Sequence, residues 1–361
     1  MIIDREKQYL VLEGHKLSRE MIIATDVDSV AISLRDLFVF LHRWFDSSDQ
    51  MVVHTSGSTG TPKELKVSKD CMMQSALLTC NFLGLKAGDT AFLCMNLRYI
   101  GAMMVVVRSL VFSLDLTVRP ASGNPLSSVV TPFDFAAMVP LQVFNSLGDP
   151  IERERLKHIR LLIIGGGAID NRLLEQLSSF PNAIYSTYGM TETLSHIALR
   201  RLNGSEATTR YIPFDHIRLS TAADDTLIID APTICKAVLH TNDVVRLYED
   251  GSFEVLGRKD NVINSGGIKI QIEQDEELLK SVITHPFAIT SIPDERLGEA
   301  VVLLVERIND NEYTGLQNRM KAILPQFHCP KYICSVDRLP MAGNGKIDRK
   351  ACLRMAYEQF K

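Results

Sequence analysis

The chain has 361 residues, 46 % hydrophobic and 23 % charged, which excludes intrinsic disorder as its main state. Lys and Arg number 39 against 43 Asp and Glu, a net charge of −4. That balance argues against a protein that coats nucleic acid, which would carry a basic excess.

Residues 1–7 mix charges of both signs without an apolar stretch, so no secretory leader is expected there. Residues 51–53 read as a strand that enters a Gly/Ser/Thr loop, and residues 65–67 as the returning strand. Residues 69–83 carry apolar side chains at helical spacing, with Gly84 as a stop. A strand at 91–95, a helix at 99–110 and a strand at 115–118 follow. The most apolar stretch, 101–116, is broken by Arg108 and ends at Asp115. It is too short and too charged to span a bilayer, so no stable membrane insertion is expected. Residues 159–164 form an unbroken aliphatic run, as in a strand buried on both faces, and end at Gly165-Gly166-Gly167 before a helix at 170–177. Alternating strands and helices predict an α/β fold.

Beyond about residue 215 the texture changes. Short strands are expected at 227–229, 244–248 and 253–256, with Asp250-Gly251 as a hairpin turn. After Asp260 comes a small α+β pattern: a strand pair at 262–270, helices at 273–282 and 313–324, and strands at 301–305 and 333–336. The expected division is a large domain over 1–257, a hinge at 258–260 and a small C-terminal domain over 261–361. The seven cysteines contain no C-x-x-C pair, so reduced thiols in the cytoplasm are expected rather than zinc ligands.

The loop Thr55-Ser56-Gly57-Ser58-Thr59-Gly60-Thr61-Pro62-Lys63 combines flexible glycines, hydroxyl donors and a cation. Such a loop can cradle a polyphosphate, though its composition alone also suits a surface linker. It is not a Walker A loop, because Lys63 is followed by Glu64 and the loop returns to a strand. Four further strings follow in order. They are Tyr188-Gly189-Met190-Thr191-Glu192, Thr241-Asn242-Asp243, the run from Gly257-Arg258-Lys259-Asp260 through Gly266-Gly267-Ile268-Lys269, and Pro340 through Gly345-Lys346 to Arg349.

In this order the strings resemble the acyl-adenylate-forming enzymes: acyl-CoA synthetases, peptide-synthetase adenylation domains and luciferases. The resemblance covers the chain from about residue 50 to its end. Short members with Thr-Asn-Asp and Met138-Val139-Pro140-Leu141-Gln142 look most like bacterial o-succinylbenzoate–CoA ligases of menaquinone synthesis, with the shortening at the N-terminal side. The resemblance implies a large α/β adenylate-forming domain with a small mobile C-terminal α+β domain, and ATP, Mg²⁺ and CoA as partners of a carboxylic acid. A homodimer is left open.

The resemblance also implies roles. Thr55, Ser56, Gly57, Ser58, Thr59, Gly60 and Lys63 would hold the ATP phosphates. Gly165, Gly166 and Gly167, otherwise a tight turn, would lie against adenine beside Tyr188, Gly189 and Met190. Thr191 would meet the α-phosphate and Glu192 would ligate Mg²⁺. Asp243 and Arg258 would hold the ribose, Asp260 would be the hinge, and Lys346 would serve adenylation. Gly266, Gly267 and Lys269, otherwise a hairpin with an exposed lysine, would line the CoA path. Gln142, Ser195 and His196 are pocket candidates, Arg200 a weaker one; Ser195 and His196 could equally pack beneath a strand. Departures are Glu64 for glycine, Asn242 for glycine, Ile272 for proline and Gln274 for glutamate. Alternative readings are a ligase for another aromatic or medium-size acid, an adenylating enzyme that loads a carrier protein, and a regulatory nucleotide-binding module.

Overall fold

The structure, a computed structural model, describes residues 4–54, 64–129, 132–167, 169, 171–341 and 347–360. Its described part divides into two compact units. The first contains residues 1–219, 229–239 and 248–253, the second 220–228, 240–247 and 254–361.

The first unit is built on a nine-stranded sheet. Its order is Ile212–Pro213, His196–Arg201, Ala183–Gly189, Leu161–Ile164, Phe135–Met138, Thr90–Leu93, Asp115–Val118, Tyr9–Leu12 and His15–Ser18. The pairs from Ala183–Gly189 to Tyr9–Leu12 are parallel, and the outer pairs are antiparallel. Leu161–Ile164 is buried at every position, as its aliphatic run requires in a sheet covered on both faces. The helices Lys69–Leu83 and Ile100–Phe112 pack together. Ser68 caps the first, and Gly84 ends it at φ +65°, a conformation that costs glycine little. Residues 102–110 of the second are all buried, including Arg108.

A separate two-stranded hairpin joins Gln50–His54 to Glu64–Ser68, with His54 opposite Glu64. Lys69, fully buried at the hairpin's foot, forms a 2.7 Å ion pair with Asp46.

The division between units runs through the sheet Arg218–Thr221, Thr226–Asp230, Leu239–Leu247 and Phe253–Arg258. The rest of the second unit is a sheet of Ile268–Gln271, Val262–Ser265, Gly298–Glu306 and Phe287–Asp294, with Tyr332–Val336 parallel to Gly298–Glu306. Ile263, Ile270, Leu279, Val301, Leu303, Leu316 and Met320 give it a core of its own. The strand Phe287–Asp294 and the final helix Arg349–Gln359 were not anticipated from sequence.

Candidate active site

The Tyr188–Glu192 string begins at the end of the strand Ala183–Gly189 and turns through a 3₁₀ segment, Thr191–Thr193. The chain then re-enters the sheet as His196–Arg201, with His196 opposite Gly189. The turn is very tight. A Cβ on Gly189 would lie 2.4 Å from the Ser195 carbonyl oxygen, so only glycine fits. Thr193 holds the loop closed: its Oγ1 accepts from Met190 N–H at 2.9 Å and lies 2.7 Å from the Ser195 carbonyl. Leu194 takes a positive φ of +64°. Thr191 is half-buried and Glu192 exposed.

Tyr188 stands edge-on to Phe253 at 5.0 Å, and Tyr211 stacks on Phe253 at 5.5 Å. The Gly165–Gly167 turn follows its buried strand as expected. A Cβ on Gly165 would lie 2.5 Å from Thr187 Oγ1, which makes this a close backbone approach.

Below the turn lies a group that sequence reasoning missed. Arg108 is 1 % exposed. No carboxylate pairs with it among the described residues; its Nη2 donates to Ser195 Oγ at 2.8 Å and to Thr79 Oγ1 at 3.3 Å. Its buried Nε has no hydrogen-bond partner among the described residues. Burial lowers its pKa to about 10, so it stays charged at neutral pH. A buried, uncompensated guanidinium costs several kcal/mol. His196 is also buried, 3.1 Å from Thr79 Oγ1 through Nε2 and 3.5 Å from Ser195 Oγ through Nδ1. Burial, with the nearby Arg108 charge, pushes its pKa well below the usual imidazole range. The only sequence signal for Arg108 was an arginine inside the most apolar run, which reads first as a break in a membrane span.

Gln142 has a different task. It is buried, and its amide donates to the Cys94 and Ser122 carbonyls, both at 2.9 Å, and accepts from Val139 N–H at 3.2 Å. Its two N–H donors are spent on the fold, at the start of the helix Pro140–Gly148. Arg200 lies over the Tyr211 ring at 5.2 Å.

In the second unit Arg258 donates to Asp243 at 3.3 Å and to Asp260 at 2.9 Å. Asn242 also donates to Asp260, at 3.2 Å. The Asn242 departure therefore pairs with the expected hinge residue. Partial burial opposes the Arg258 charge, but Asp260, Asp243 and Glu273 outweigh it and raise its pKa. Asn261 and Gln271 both donate to Glu273, and Gln271 also donates to the Arg258 carbonyl at 3.0 Å. Gly266 and Gly267 form the two-residue turn between Val262–Ser265 and Ile268–Gln271, with φ +59° and +84°. Lys269 is exposed.

Thr55, Ser56, Gly57, Ser58, Thr59, Gly60, Lys63 and Lys346 lie outside the described residues. Among the described residues no group of three His, Cys, Asp or Glu could hold a metal ion, and no helix is long and apolar enough to cross a membrane.

A mainly parallel sheet whose strand ends carry tight glycine turns defines an α/β protein of the kind that binds ligands at its strand ends. The AMP-binding enzyme family matches residues 7–225, and the chain belongs to that family. The 2-succinylbenzoate–CoA ligase of Bacillus cereus is 24 % identical over 341 residues, which cover 85 % of this chain and 70 % of that protein. A probable 2-succinylbenzoate–CoA ligase of Mycobacterium tuberculosis is 26 % identical, covering 86 % and 85 %. Among solved structures, an acyl-CoA synthetase (AMP-forming)/AMP-acid ligase II-like protein from Dyadobacter fermentans is 29 % identical, covers 95 % of this chain and 98 % of that one, and has a TM-score of 0.65. The o-succinylbenzoate CoA synthetase of Bacillus subtilis, solved with its acyl-adenylate, has a TM-score of 0.71 at 20 % identity, covering 83 % and 68 %, a likeness of fold.

Proposed function

We propose that the chain is an AMP-forming acid–CoA ligase whose acid is o-succinylbenzoate. The carboxylate oxygen attacks the α-phosphorus of ATP, pyrophosphate leaves, and the CoA thiol then displaces AMP to form the thioester. A carboxylate is a poor acylating agent because its oxide is a poor leaving group; adenylation turns that oxygen into part of a phosphate ester. The protein's share is positioning and charge neutralisation.

The observation that carries the choice of acid is Arg108. This acid has two carboxylates, of which one is activated. The other needs a buried donor, and Arg108 is a buried cation without a carboxylate, bonded to Ser195 just beyond the Tyr188–Glu192 turn. A monocarboxylic acid would leave that charge uncompensated. The names of the curated relatives support the same substrate.

The remaining roles follow the family pattern. Lys63 and the hydroxyls of 55–59 are assigned to the β- and γ-phosphates, Thr191 and Lys346 to the α-phosphate. Tyr188 is assigned to adenine, and Asp243 and Arg258 to the ribose. Mg²⁺ normally takes one or two protein carboxylates plus phosphate oxygens and water. An exposed Glu192 on a tight turn fits that mode. Bound there with the nucleotide, the ion would offset phosphate charge. Asp260 is assigned as the pivot and Gly266-Gly267 as the passage for the pantetheine arm.

The test is acid-dependent pyrophosphate release from ATP and Mg²⁺ over a panel of acids, with and without CoA. Release with o-succinylbenzoate and CoA-dependent thioester formation are expected. Release that ignores the acid would reject the ligase; acyl-AMP that ignores CoA would assign a carrier-protein thiol. Lys346→Ala is expected to suppress adenylation and to spare thioester formation from supplied acyl-AMP. Equal loss of both would reject the assignment of Lys346 to one half-reaction.

A further inference from the structure

We propose that Thr79 locks His196 in its Nε2–H tautomer, and that the two act as positioning residues for Arg108 and Ser195. The role in selecting the acid rests on the reading above. Three groups converge on Thr79 Oγ1. The Ser75 carbonyl lies 3.2 Å away, His196 Nε2 3.1 Å and Arg108 Nη2 3.3 Å. A carbonyl only accepts and a guanidinium only donates. The single hydroxyl hydrogen makes the usual back-bond of a helical threonine, to Ser75 one turn earlier. The oxygen then accepts from both remaining nitrogens, so the imidazole proton sits on Nε2.

That assignment propagates. His196 Nδ1 keeps its lone pair, facing Ser195 Oγ at 3.5 Å. Ser195 Oγ already accepts from Arg108 at 2.8 Å, so its hydrogen is free to donate. Ser195 gives that hydrogen to His196 Nδ1, so what the cluster keeps for a ligand is the charge and the remaining N–H groups of Arg108. The cluster's acceptor, His196 Nδ1, is taken up with Ser195. A cluster that keeps only donors and a positive charge favours a carboxylate at the far end of the acid over an alcohol or amine, whose hydrogens would lack an acceptor.

Histidine-labelled protein reads the tautomer directly by long-range ¹H–¹⁵N correlation. Wild type is expected to give one Nε2–H signal at neutral pH, with any titration displaced below the usual imidazole range. Thr79→Val is expected to release the tautomer into a mixture and to raise KM for o-succinylbenzoate roughly tenfold, with kcat changed less than about twofold. Thr79→Ser, which keeps the oxygen, is expected to restore both. An Nδ1–H or imidazolium signal in wild type overturns the proposal, as does a Thr79→Ser protein that behaves like Thr79→Val. An analogue with a hydroxymethyl group in place of the distal carboxylate is expected to lose roughly 100-fold in kcat/KM. Equal use of both acids overturns the donor-only reading of the cluster. If neither acid is used, the ligase reading fails alone, and the tautomer signal still decides the proposal.

Discussion

Arg108 separates function from stability in a single side chain. Replacing a buried charge by an apolar residue of similar length is often neutral or stabilising. Arg108→Met is therefore expected to leave the melting temperature unchanged or higher while lowering kcat/KM for o-succinylbenzoate roughly 100-fold. Thermal unfolding alongside steady-state kinetics checks both halves. His196 supplies a pH signature. Its folded pKa is depressed by burial and, secondarily, by Arg108. The unfolded chain binds the proton near pH 6.5 and the native chain does not. Stability is thus fully present above that pH and falls as pH drops below it, by up to about 1.4 kcal/mol per unit, until the folded pKa is reached. Urea titrations at pH 7.5, 6 and 5 are expected to give this slope in wild type and a flatter one in His196→Asn.

At the scale of elements, two glycines make opposite predictions. Gly189→Ala would drive a Cβ against backbone at 2.4 Å, so the 189–196 turn has to open. A large loss of adenylation is expected, with Glu192 displaced from the strand end. Gly101 sits in the first turn of the helix Ile100–Phe112, with nothing near an added Cβ. Gly101→Ala is expected to stabilise by about 0.5 kcal/mol, measured by denaturant midpoint. What was legible in the sequence follows the same logic. The helix Lys69–Leu83 was readable to the residue because its apolar period ends at a glycine, which the structure holds in the left-handed conformation. The strand Phe287–Asp294 was not, because Thr290, Ser291 and Pro293 interrupt the apolar run, although most of its positions are buried. The glycine turns and the carboxylates around Arg258 announce themselves locally. The Arg108 cluster does not, because it joins residues 79, 108, 195 and 196 through packing of two helices under a strand end. Gln142 is ambiguous in sequence for a related reason: a glutamine beside a helix start looks the same whether it caps or binds.

Across the whole molecule, each unit has its own apolar interior. Leu303, fully buried in the second, anchors the strand Gly298–Glu306 between two neighbours. Leu303→Ala leaves a cavity and is expected to cost about 2–5 kcal/mol. Hydrogen exchange is expected to report it as lost amide protection over residues 262–336, with the nine-stranded sheet still protected.

The chain passes between the two units more than once. The backbone passes from one unit to the other after residues 219, 228, 239, 247 and 253. The 3₁₀ segment Lys259–Asn261 follows the last of these passages, and beside it the carboxylates of Asp243 and Asp260 grip the Arg258 guanidinium.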